Sequence, residues 1–198
     1  MKRHLLSLAV LTTFFLLNTQ TVDAQNWTRF RGPNGQGAIE AKFPGEWTEK
    51  NVAFKIELPG EGHSAPAIWG NKLFILSADR TTAERFMLGI DATTGKTLWK
   101  RSYDSEEHRL HIRSSYASCS PAVDADHVYI AFSDPEHTWL KAFSHDGREV
   151  WSVDMGTWRS MHGFGTSPML YKDMVILNNA QQGSRLEEGE KPPQSYVY

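Results

Sequence analysis

The chain has 198 residues, 40% of them hydrophobic and 22% charged, with a formal net charge of −2. Its 21 Lys and Arg are scattered among 23 Asp and Glu, which excludes the basic footprint of a nucleic-acid or anionic-lipid binder. A single cysteine, Cys119, excludes an intramolecular disulfide and with it the disulfide-stapled class of small secreted domains.

The first 24 residues read as a signal peptide. Lys2, Arg3 and His4 form a basic start, an apolar run follows from Leu5 to Leu17, and Val22-Asp23-Ala24 offers small side chains at the peptidase positions. The run is too short to cross a bilayer comfortably, and no second one follows, so no transmembrane span is expected once the signal is removed. The chain is therefore expected to be exported, to a periplasm or beyond, with cleavage after Ala24. No cysteine stands at the cleavage point to carry a lipid anchor. Residues 25–50 form a leader segment, including the Gly-rich stretch RGPNGQG (31–37), which lacks the Lys and the helix of a phosphate loop. Asn26-Trp27-Thr28 meets the N-glycosylation pattern.

An internal repeat governs the remainder. Three segments open alike: Ser64-Ala65-Pro66-Ala67, Ser120-Pro121-Ala122-Val123 and Ser167-Pro168-Met169-Leu170. Each is followed by a turn and an apolar run: KLFILSA (72–78), HVYIAFS (127–133) and DMVILNN (173–179). The prolines lie 55 and 47 residues apart, near the spacing of four-stranded blades. FMLGI (86–90) and WLKAF (139–143) supply third strands, and TLWKRSY (97–103) and EVWSVDM (149–155) supply fourth strands that alternate apolar with polar residues. Gly95 precedes Trp99 by four residues, as Gly147 precedes Trp151, each marking the turn between these last two strands. No stretch beyond the signal shows helical periodicity, so the fold class is all-β, a partial propeller of four-stranded antiparallel blades.

The expected organisation is a closing outer strand (51–60), one blade (61–104), a second (114–156) and half of a third (162–183). The closing strand, NVAFKIELPG, resembles a fourth strand without its first three, with Phe54 in the place of Trp99 and Trp151. Residues 184–198, SRLEEGEKPPQSYVY, show no strand signal through Pro193 and read as an atypical, disordered tail where the repeat demands a third strand. A truncated gene, a frameshift or an assembly fragment is expected to account for that ending better than a mature fold does.

These residues resemble the PQQ-like, or quinoprotein-type, β-propeller repeat family. Its tryptophan docking motif is matched by Gly89, Asp91, Gly95 and Trp99, and more loosely by Ala142, Ser144, Gly147 and Trp151; the leader NWTRFRGPNGQG also resembles that of exported members. The resemblance implies that Asp91, Gly95, Trp99, Gly147 and Trp151 are structural docking residues, with each Trp packed between neighbouring blades. It also implies a binding or scaffolding platform for protein partners in the cell envelope, similar to the propellers of outer-membrane barrel assembly. The alternative is a fragment of a dehydrogenase using PQQ and calcium, and a third possibility is an envelope sensor domain.

No catalytic set stands out beside that resemblance. Asp134, Glu136, Asn178 and Asn179 offer oxygens to a calcium ion without diagnostic spacing, and no adjacent cysteines lie against a quinone. His108 and His111 lack a third zinc ligand and read as part of a polar inter-blade loop. His63 and His162 precede first strands in similar places, and Ser64, Ser120 and Ser167 are expected to face the central channel. No G-x-S-x-G elbow makes any of these serines a nucleophile. Cys119, between Ser118 and Ser120, is expected to be a small buried residue.

Overall fold

A computed structural model describes residues 26–160, 162–181, 189, 191 and 194–198; the signal peptide read over residues 1–24 lies outside them. The first repeat unit folds into β1 (Ala67–Trp69), β2 (Lys72–Ala78), β3 (Arg85–Asp91) and β4 (Thr97–Tyr103), an antiparallel sheet in sequential order. The second gives β5 (Ala122–Val123), β6 (His127–Ser133), β7 (Thr138–Ser144) and β8 (Glu149–Asp154) in the same order. In the third, β9 (Met169–Tyr171) pairs with β10 (Met174–Ile176), and β11 (Asn178–Asn179) pairs with β12 (Tyr196–Val197). A single 3-10 turn at Glu49–Asn51 is the one helical element among the described residues. The fold is thus all-β, built of propeller blades.

The alternation of β2 shows why these runs become buried strands. Phe74, Leu76 and Ala78 join Met87 in the large core shared with Val128, Ile130, Phe132 and Phe143 of the second sheet. Leu73 and Ile75 point the other way, against Phe86, Leu88 and Ile90, where Leu58 covers them. A central strand is therefore apolar on both faces, and each large side chain fully buried this way contributes about 1.5–3 kcal/mol. The fourth strands are wetter, with β4 and β8 mostly exposed or half-buried.

Each complete blade carries a β-bulge at the same place. Gly89 pairs with Trp99 but Ile90 pairs with Thr97, so Leu98 is the extra residue; Ala142 pairs with Trp151 but Phe143 with Glu149, so Val150 is extra. A bulge sharpens local twist and re-aims the neighbouring side chain. Here it turns Leu98 and Val150 outward, 45% and 41% exposed, beside the tryptophans that are held against the sheet.

Two expectations are corrected. Residues 51–60 form no strand: after the 3-10 turn they run without ladder pairing, and only Glu61 makes an isolated bridge, to Ala78. A fourth strand requires a third strand beside it, and the described residues supply none on that side. Phe54 nonetheless lies over Gly95 as Trp99 lies over Gly147, since a Cβ added at Gly95 would stand 2.7 Å from the Phe54 ring.

The second correction concerns the tail. Tyr196 and Val197 form β12, opposite Asn179 and Asn178. The pairings Ala67↔Phe74, Ala122↔Tyr129 and Met169↔Ile176 make Leu76, Ala131 and Asn178 equivalent, and their partners are Met87, Leu140 and Val197. Tyr196-Val197-Tyr198 therefore stands in the register of a third strand, continued by reciprocal bonds between Leu177 and Tyr198 at 2.9 and 3.1 Å.

The contact between Trp99 and Gly147 yields a test. Gly147 has φ +81°, and a Cβ there would lie 2.5 Å from the indole. Gly147→Val is expected to destabilise the chain by about 2–4 kcal/mol through backbone strain and displacement of the ring, read as a lower urea midpoint, whereas Gly45→Ala, with nothing near it, leaves the midpoint unchanged.

Candidate functional site

The sequence motif assembles across the boundary between the first two sheets. Asp91 starts the β3–β4 turn, its Oδ1 accepting from the amides of Thr93 and Thr94 at 2.9 and 2.8 Å. The Thr94 amide and hydroxyl, with the Thr93 amide, hold the carboxyl below its ordinary pKa. In the second copy the Ser144 hydroxyl takes over, accepting from the Arg148 amide at 3.2 Å. Trp99 stacks over Gly89 of its own sheet, and its Nε1–H donates to the His145 carbonyl of the next sheet at 3.0 Å. Arg101 donates to the Gly147 carbonyl at 2.6 Å, and the Tyr103 hydroxyl donates to Glu149 at 2.8 Å. Trp151 packs beside Tyr129, ring centroids 5.9 Å apart.

The serines before the first strands form a second inter-blade series. The Ala65 amide donates to Ser120 Oγ and the Ser120 amide donates to Ser167 Oγ, both at 2.9 Å. Ser64 is not their equivalent. It lies one residue further from its proline, and its hydroxyl accepts from the Leu76 amide within its own blade at 3.3 Å. His63 and His162 likewise differ: His63 precedes its proline by three residues and His162 by six. The His162 ring lies 5.1 Å from that of His111, with its Nδ1 3.4 Å from Ser114 Oγ.

His108 and His111 do not converge. The His108 ring meets Tyr116 edge-on at 4.9 Å, while its backbone carbonyl accepts from the Tyr116 hydroxyl at 2.7 Å. Burial, aided by the nearby Arg85 charge, lowers its pKa. Asp134 is occupied as a loop organiser, accepting from the amides of Glu136 and His137 at 3.0 and 2.8 Å and from Ser105 at 3.1 Å. Asn179 is buried, 3.5 Å from the Thr138 hydroxyl, and its neighbour Asn178 is exposed. Among the described residues no group of three or more His, Cys, Asp or Glu is placed to hold a metal ion. The Asp134 oxygens and the Asn179 Oδ1, which accepts from Gln181 at 3.2 Å, are taken up by hydrogen-bond donors of the chain itself.

Arg85, which composition and spacing did not mark, begins β3 and is 1% exposed. Its guanidinium lies 4.4 Å over the Tyr116 ring and donates to the carbonyls of Ser133, at 3.0 Å, and Ala83. Burial pushes its pKa down to about 10, against the opposing pull of Tyr116 and Asp134. The sequence signal was its place as the charge that opens a third strand apolar from Phe86 to Ile90. Cys119 is 1% exposed, and burial pushes its thiol up to about 12, which removes the thiolate that nucleophilic chemistry needs.

The Gly-rich leader is ordered by its own turns. The amides of Gly32, Gly35 and Gly37 donate to the carbonyls of Arg29, Gly32 and Arg31 at 2.9, 3.1 and 2.8 Å. Gly32, with φ +76°, lies against the Trp27 ring so closely that a Cβ would stand 2.9 Å from it.

Four-stranded sheets repeated in order, bulged at one position and joined through a tryptophan over the next turn define a repeat β-propeller protein. The comparison with known families agrees: the model described as outer membrane protein assembly factor BamB matches residues 46–153. The chain belongs to that PQQ-like β-propeller repeat family. None of the curated proteins matches it.

Two outcomes follow. His137 Nδ1 lies 2.7 Å from Asp154, and that hydrogen bond raises the His137 pKa. A histidine with a raised folded pKa contributes stability below its unfolded pKa, near 6.5, and loses it as pH rises through the folded value. The His137 NMR titration midpoint is therefore expected above 6.5, and Asp154→Asn returns it toward that value. The Cys119 thiol is expected to resist a thiol-reactive dye in the native chain and to react fully in denaturant; rapid native labelling contradicts its burial.

Proposed function

We propose that this chain belongs to an exported propeller that serves as a non-catalytic binding platform for protein partners in the cell envelope. The observation that carries this reading is the match of residues 46–153 to the family described as an outer membrane protein assembly factor. The side chains that first suggest chemistry support it by what they already contact. Asp134 organises a loop, Ser120 and Ser167 join neighbouring blades, and His108 is enclosed with Tyr116. Asp91, Gly95, Trp99, Gly147 and Trp151 serve as docking residues that keep the blades in register. The platform reaches its compartment through cleavage after Ala24. Among the described residues no helix is long and apolar enough to cross a membrane.

The test uses affinity-tagged full-length chain produced in its native host. The tagged protein is expected in the envelope fraction with its sequence starting at Gln25, and to copurify with the β-barrel assembly machinery after mild crosslinking. The same preparation, supplied with PQQ and calcium, is expected to reduce no dye with alcohols or aldoses. Cofactor-dependent reduction, or retention in the cytoplasm, overturns the proposal.

A further inference from the structure

The first strands β1 and β5 are the inner edges of their sheets, each hydrogen-bonded to a partner strand on one side only. An inner edge with free amides and carbonyls invites another strand. In this chain the invitation is taken by the leader. Trp27 and Ile68 exchange backbone hydrogen bonds at 3.0 and 2.8 Å, an antiparallel bridge on the free side of β1. The next residue, Thr28, offers its carbonyl to the Val123 amide of β5 at 2.8 Å. Ile68 and Val123 are equivalent, each two residues after its blade's proline. Two consecutive leader residues thus meet the same position in two consecutive blades. The path continues toward the third, where Arg29 and Phe30 face Gly165, Ser167, Pro168 and Met169 across a cavity of about 220 Å³.

The ends of this crossing are fixed as well. Asn26 Oδ1 accepts from the Gly70 amide in the β1–β2 turn at 2.8 Å. Beyond Phe30 the chain folds back, Arg29 donating to the carbonyls of Gly32 and Pro33 at 3.3 and 3.4 Å, and Gly32 closing over Trp27. Inner strands line the axis of a propeller. We infer that residues 26–30 form an axial strap, stitched along the inner edges of successive blades and narrowing the channel at its β1–β2-turn end.

A partner or ligand that reaches the axis then enters from the opposite face, where the inter-blade loops carry His63, His111 and His162. The strap also gives the leader motif a physical task for each part: Asn26 anchors, Trp27 and Thr28 pair, Arg29 holds the fold-back, and Gly32 permits it.

Hydrogen exchange on the full chain tests the strap, because the Ile68 and Val123 amides both bond to it. In the unaltered protein both are expected to exchange at least about 100-fold more slowly than free amides. Gly32→Val, which drives a side chain into the Trp27 ring, is expected to accelerate both by about tenfold or more, with the Met87 and Leu140 amides, inside the ladders, unchanged. Asn26→Ala, a milder release of the anchor, is expected to shift Ile68 and Val123 in the same direction. Free exchange of these two amides in the unaltered protein overturns the strap, and that reading does not require any variant to fold. Unchanged protection in both variants overturns it equally.

Discussion

The indole of Trp99 belongs to two blades at once. It covers Gly89 in its own third strand, where any side chain would collide with it, and lies over the Gly147 turn of the next sheet. Its N–H is bonded to the His145 carbonyl, whose ring in turn packs on Phe74 at 5.4 Å. A bulge at Leu98 aims the ring, a missing Cβ on each side receives it, and Arg101 and Tyr103 extend the contact along the strand. Loss of any one element leaves the others without a counterpart, since blade order is transmitted through this contact and the apolar surface behind it.

The same economy explains the polar interior. Arg85 enters the boundary between blades as a full charge, balanced by carbonyls, a tyrosine face and the nearby Asp134. A buried cation of this kind is costly unless its neighbours are fixed, and it is more informative about which surfaces must meet than about stability. The inter-blade loops gather acidic, basic and histidine side chains, yet the structure joins them in pairs: His108 with Tyr116, His111 with His162, Asp134 with Ser105. These are contacts that assemble a surface.

Much of the fold was legible because strand composition and turn chemistry repeat. Residues 72–78, 97–103 and 127–133 were read as strands with the bounds the structure shows. Local pattern failed where a strand depends on distant partners. Residues 51–60 have strand composition but no neighbour to pair with, whereas Tyr-Val-Tyr at 196–198 is too short to signal a strand and becomes one by lying beside Asn178. Ser64 looked equivalent to Ser120 because both stand near a proline, and a one-residue offset sends its hydroxyl into its own blade. The pairing of Trp27 and Thr28 was not legible at all, since it is made by backbone groups that carry no sequence signal. Arg85 carries no burial signal in the sequence, because arginines are mostly exposed.

The serine series has one gap. Ser120 and Ser167 accept a hydrogen bond from the blade before them, but the residue in their place in the first blade is Ala65. The face that blade turns away from its successor is instead apolar, with Leu58, Leu73, Ile75 and Ile90 lining a shallow cavity of about 160 Å³. The boundary between the first two blades thus couples directed bonds to a shared apolar core, whereas the apolar outer face of the first blade excludes water without fixing a register.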